Sequence, residues 1–237
     1  MRHTYQRSAL GALMTLAVVA TSCGSDGDLS VVPAAAADEA STTEASAATD
    51  TNSVETTEGI RLGIMGECEG GFAAFSEDVV AGATLAMING AGATSNSSTT
   101  AMDGFSGASV AGVDIELVGI GCGDDTSDRA IQEVRTLVEQ QGANVVVGPL
   151  SGDEGNAVAG YALDHPEVTF LNGIAGAQDA TLHVRAPNFF RFNGDGAQWN
   201  AGIGDFAYND RNWRTAAVIA DDYGFGWTSA AGMVAGW

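Results

Sequence analysis

No lysine occurs among the 237 residues, so all nine basic residues are arginine. That absence excludes Schiff-base chemistry, a P-loop lysine and a lysine general base. Positive charge is scarce in any form. Thirty Asp and Glu leave a formal charge of −21, which opposes nucleic acid or an anionic membrane surface as a partner. Only three cysteines and three histidines are present, and no metal-ligand or nucleophile–base spacing emerges from them. Ser151, weighed as a nucleophile, lies in Gly148-Pro149-Leu150-Ser151-Gly152, which lacks the G-x-S-x-G spacing. Gly119, Gly121 and Gly123 alternate after a strand without completing G-x-G-x-x-G. No enzyme activity, cofactor or metal is expected. What the chain does have is 45% apolar residues, ample for a core.

Long apolar runs are missing with one exception. Arg2, His3 and Arg7 precede an apolar run over 9–20 that ends in Thr21-Ser22-Cys23. A short basic region, a short apolar core and small residues describe a secretory signal, too short for a comfortable membrane span. Ala20-Thr21-Ser22-Cys23 resembles the lipobox of bacterial lipoproteins, with Ala20 where that pattern prefers leucine. On that reading residues 1–23 are the signal, Cys23 is lipidated, and the protein sits outside the cytoplasm, membrane-bound only through the lipid. The alternative is a secreted protein with a chance cysteine. Residues 24–58, rich in Ala, Ser, Thr, Asp and Glu, cannot bury enough apolar surface to offset their ordering entropy. They read as a flexible acidic tether.

With Cys23 set aside, Cys68 and Cys122 remain, each just after a predicted strand (61–65 and 114–120). In an exported chain two such cysteines favour a disulfide.

The remainder alternates. Strands are predicted over 60–65, 110–120, 145–147 and 168–171, with helices over 75–89, 126–141 and 155–162, and a low-complexity loop over 90–109. Regular alternation predicts an α/β fold with a parallel, Rossmann-like sheet and right-handed crossovers. Its turns at Cys68, Cys122, Ser151 and Asn172 then share the C-terminal edge, where open α/β sheets bind ligands. The stretch 145–155, VVVGPLSGDEG, is the centre of that edge: a buried strand opening into a small, polar turn. Its free backbone N–H groups suit a polar or anionic group. Asp124, Asp125 and Asp128 read as acids at a helix N-terminus rather than as calcium ligands. Then come an irregular segment over 183–192, a helix over 195–209, a strand over 213–220 and a further helix after Asp221.

Several blocks in order carry a resemblance. They are Ile64-Met65-Gly66, Asp128-Arg129-Ala130, Val147-Gly148-Pro149-Leu150-Ser151, Pro187-Asn188-Phe189-Phe190-Arg191 and Asp221-Asp222-Tyr223-Gly224. Together they resemble the substrate-binding proteins of ABC transporters, of the type I periplasmic-binding fold and its leucine/isoleucine/valine-binding group. The resemblance implies two lobes closing on a solute, a first lobe over 59–185, and a crossover with an incomplete second lobe over 186–237. By that pattern the chain stops short of the family's C-terminus. It also implies a permease as partner and, for the complete protein, a monomer. It places the solute's polar end on Leu150, Ser151 and Gly152, with Ile174, Ala175 and Gly176 from the next turn. An aromatic of the first turn, Phe75 or Phe72, covers the pocket, and Tyr223 or Phe225 closes it from the second lobe. Asp153 and Glu154, beside a site expected to hold a carboxylate, depart from this scheme. An amino acid, an amide or a similar small polar molecule is the implied solute. An extracytoplasmic sensor with no transporter is the other function left open.

Overall fold

The computed structural model describes residues 59–237; the expected signal, Cys23 and the acidic tether lie outside the described residues. The described residues open with β1 (Ile60–Glu67), a 3-10 turn (Gly70–Phe75) and α1 (Ser76–Ala91). A small β2 (Thr94–Ser95) pairs antiparallel with β3 (Phe105–Ser106), and β4 (Ala108–Val110) turns antiparallel onto β5 (Val113–Gly123). Next are α2 (Ser127–Arg135), continued by a π turn (Thr136–Gln140), β6 (Val145–Val147), α3 (Gly152–Asp164) and β7 (Thr169–Asn172). After a π turn (Ala180–Val184) come β8 (Phe189–Arg191), α4 (Gly196–Asn200), α5 (Ile203–Asp205) and α6 (Gly224–Ala235).

Six strands form one sheet in the order β4-β5-β1-β6-β7-β8. All neighbours are parallel except β4. The parallel sheet therefore follows the expectation, and its two faces are both covered. Leu62, Ile64 and Ile115 face Val80 and Ala91 of α1, while Met65, Val146 and Phe170 face Val134 of α2 and Val158 and Ala162 of α3. Burial of one stripe of each helix against a Val/Ile-rich strand is what fixes this layering. Local signals also hold: the Thr126 hydroxyl caps α2 by accepting from the Arg129 N–H, and left-handed Gly92 and Gly142 follow α1 and the α2 extension.

Four expectations need correction. The supposed loop over 90–109 supplies the edge strand β4, which pairs with β5 across a turn at Ala111-Gly112. Small residues hid it, since Ala and Ser give no alternating signal. The expected boundary at 186 falls inside the sheet, because Phe189 and Phe190 pair with Phe170 and Leu171. The helix over 195–209 is broken, with Ala201 extended and Gly202 left-handed. The strand over 213–220 is not formed: no partner strand lies beside it among the described residues, and a lone strand has no ladder to satisfy its backbone. Ile219 there is 97% exposed.

One side chain closes the β8 end. The Asn188 amide donates to the carbonyls of Ala162, His165 and Val168 at 3.0, 2.8 and 2.8 Å. It ties the end of α3 to the entry of β7. Asn188→Ala is expected to cost about 1–2 kcal/mol in urea unfolding: it removes the side-chain donor from three carbonyls, of which Ala162 and His165 keep a backbone N–H. An unchanged midpoint would show that water replaces the amide.

Candidate functional site

Parallel pairing brings four turns to one rim of the sheet. Two of them are tied covalently: Cys68, after β1, and Cys122, at the end of β5, form a disulfide with Cα atoms 5.0 Å apart. The backbone reinforces it, with the N–H groups of Cys68 and Glu69 donating to the Gly123 carbonyl at 3.1 and 3.2 Å.

Beside the disulfide lies a pair of acids fully buried from solvent, Glu67 and Glu154. Glu67 Oε1 accepts the Ser151 N–H at 2.9 Å, and Glu154 Oε1 accepts the N–H groups of Asp124 and Asp125 at 3.1 and 3.0 Å. Each leaves Oε2 without any other donor. A proton held between the two carboxyls gives both oxygens a partner, and two bare carboxylates in contact would repel. Burial, followed by the hydrogen bond and charge of Glu67, pushes the Glu154 carboxyl up to about 9. The pair thus links the ends of β1 and β5 to the turn that opens α3. Sequence gave no sign of it. Gly123 is the one trace: a Cβ there would lie 2.4 Å from Glu154 Oε1.

Above this floor is a cavity of about 130 Å³ lined by Phe72, Leu150, Gly152, Ile174, Gly176, Trp199, Tyr223 and Phe225. Six residues expected at the site meet there: Leu150, Gly152, Ile174, Gly176, Tyr223 and Phe225. Of the two candidate rings in the first turn, Phe72 is the one on the cavity, and Phe75 stands half exposed 6.4 Å behind it. Ser151 and Ala175 are buried beneath the lining. The Ser151 hydroxyl donates to Asp125 and its N–H to Glu67, so this residue is a strut under the turn and offers no free donor to a solute. Ala175 gives its carbonyl to Asn172 and Arg191 at 3.0 and 2.6 Å. The Arg191 guanidinium thereby props the β7 turn from behind.

Trp199 was not anticipated. The capping box of Asp195 and Gln198 starts α4 and sets Trp199 edge-on against Phe225, ring centroids 5.6 Å apart. Phe225 in turn sits where two side chains are missing. A Cβ on Gly176 would fall 2.7 Å from its ring, and one on Gly152 would fall 3.0 Å from its N–H nitrogen. The acids that departed from the expected scheme have other work. Glu154 is in the buried pair, and Asp153 accepts the Gly224 N–H at 2.9 Å, facing the start of α6. Tyr223 is pushed up to about 12 by burial and then by the charges of Asp125, Asp221 and Asp153.

A model of the family described as periplasmic binding protein matches residues 59–237, the whole of the described fold. The chain belongs to the periplasmic binding protein family. Solved structures agree on the fold. The solute binding protein of an ABC transporter from R. palustris, in complex with benzoate, superposes with a TM-score of 0.60 at 18% identity, over 76% of this chain and 44% of that one. A leucine binding protein from Thermotoga maritima gives 0.59 at 16% identity, over 75% and 45%. A periplasmic binding protein type 1 from Bordetella pertussis Tohama I gives 0.56 at 18%, over 76% and 45%. No curated protein matches the sequence. This periplasmic binding protein spans less than half the length of those solved chains.

Proposed function

We propose that the chain is the ligand-gripping part of an extracytoplasmic solute-binding protein, lipid-anchored through Cys23, that captures a small molecule for an ABC importer. The observation that carries this reading is the aromatic-walled cavity at the C-terminal rim of the parallel sheet, in a member of a family of binding proteins. Glycine turns give the solute close approach to backbone, and rings from two stretches far apart in sequence enclose it. No covalent step is needed. The affinity arises from burial and the few polar groups at the rim, and closure of the two stretches on the solute would signal to a permease.

The solutes that this reading admits are amino acids, amides and small acids of the kind named for the solved neighbours, benzoate among them. Thermal unfolding of the full chain across such a panel, widened to include small organic cations, tests it. One class is expected to stabilise the fold, by about 2.7 kcal/mol at a hundredfold excess over Kd. Gly176→Leu is expected to remove that stabilisation. Its Cβ would press on the Phe225 ring and on Trp199 Cζ3, at 3.2 Å, and its branches would fill the cavity. Absence of stabilisation by any small solute overturns the reading.

A further inference from the structure

Resting on the solute-binding reading, we propose that the cavity takes a small organic cation, an ammonium carried on an apolar body, rather than a carboxylate or a zwitterionic amino acid.

The walls are the first reason. Phe72, Tyr223, Phe225 and Trp199 form a continuous arc, with successive centroids 6.1, 6.1 and 5.6 Å apart. Ring faces carry the negative end of a quadrupole, and a cage of them attracts an alkylated ammonium without needing a hydrogen bond. Among the described residues, neither arginine nor histidine lines the cavity.

Charge is the second. Three carboxylates stand close to the lining, two of them one residue or one hydrogen bond away. Asp153 follows Gly152 and holds the Gly224 N–H beside Tyr223. Asp125 accepts from Ser151, between Leu150 and Gly152. Asp221, two residues before Tyr223, is near enough for its charge to act on the Tyr223 hydroxyl. Three positive features oppose them. The N-terminus of α3 is worth about half a charge, but Asp153 sits in its first turn and Glu67 occupies the Ser151 N–H. Arg191 is spent on the Ala175 and Ala177 carbonyls, with the charge of Asp195 beside it. The N-terminus of α6, at Gly224, adds a second half charge, so three carboxylates stand against about one positive charge in all, and the balance stays negative. An incoming carboxylate would meet repulsion and no guanidinium, whereas an ammonium meets both field and rings.

The test is calorimetric titration of the full chain with tetramethylammonium, choline, benzoate and leucine, each at low and high salt. Both cations are expected to bind, more weakly at high salt, and the two other probes are not. A D125N/D153N variant keeps the acceptor atoms for Ser151 and Gly224, and Asn tolerates the left-handed backbone of Asp125 (φ 71°). It is expected to fold with a Tm lowered by no more than about a few degrees and to lose about tenfold in cation affinity, and Phe225→Leu to lose a similar factor. Benzoate or leucine binding that depends on Phe225, with no binding of either cation, overturns the cation proposal and leaves the solute-binding reading standing. Cation binding indifferent to both variants overturns it as well. Failure of all four probes also overturns it, and the wider panel above then decides the solute-binding reading separately.

Discussion

Raising the pH from about 5 to about 9 is expected to destabilise the native chain while leaving a Glu154→Gln variant almost unaffected by this group. The folded state holds a proton on Glu154 up to about pH 9, whereas the ordinary carboxyl releases it near 4.5. Between those values the folded chain binds a proton that the unfolded chain has lost. Stability therefore falls as the pH rises, by at most about 1.4 kcal/mol per unit in that window, and levels off on either side of it. Glutamine reproduces the protonated arrangement: its oxygen accepts from Asp124 and Asp125, and its amide donates to Glu67. At pH 8 the variant is expected to be more stable than the native chain by roughly 3 kcal/mol, allowing for relaxation around the pair. Urea unfolding of both proteins across the range measures the difference. Parallel pH profiles, with the variant weaker throughout, would show that the two carboxyls share no proton.

The second large effect belongs to the disulfide. Cys68 and Cys122 are 54 residues apart, and closing a loop of that length restricts the unfolded chain by about 4 kcal/mol in the chain-entropy account. Cys68→Ser/Cys122→Ser is expected to lower stability by about 2–4 kcal/mol, the smaller values arising where the unfolded chain keeps residual structure. β1 and β5 stay paired from Ile60 to Glu67, so the variant is expected to retain its sheet by circular dichroism. A Tm equal to that of the oxidised chain would mean that the strand pairing already supplies the restraint.

The fold was legible where the chain obeys one period at a time. The Val145–Val147 run, the Thr126 cap and the glycines after two helices each state a local preference that the packing then adopts. The edge strand β4 was not, because Ala108, Ser109 and Val110 carry too little apolar contrast and their place is set by the neighbour they pair with. Residues 213–220 failed in the opposite sense: their β-rich composition needs a sheet partner to become a strand. At the site, Gly152, Gly176, Tyr223 and Phe225 could be anticipated, since a rim of small residues facing aromatics is a sequence pattern. The buried acids could not. Glu67 and Glu154 look like ordinary surface glutamates until the sheet brings residues 87 positions apart into contact, and Trp199 joins the cavity only because α4 folds back beneath α6.

Glu67 adjoins Cys68, and Gly123, which makes room for Glu154, adjoins Cys122. The covalent tie and the shared proton therefore restrain the same two strand ends, and their contributions overlap. A chain already reduced has freer turns, so ionising the acids costs it less. A chain already ionised has less order left for reduction to destroy. Their coupling in a double-mutant cycle is a measure of how rigid the floor under the cavity is.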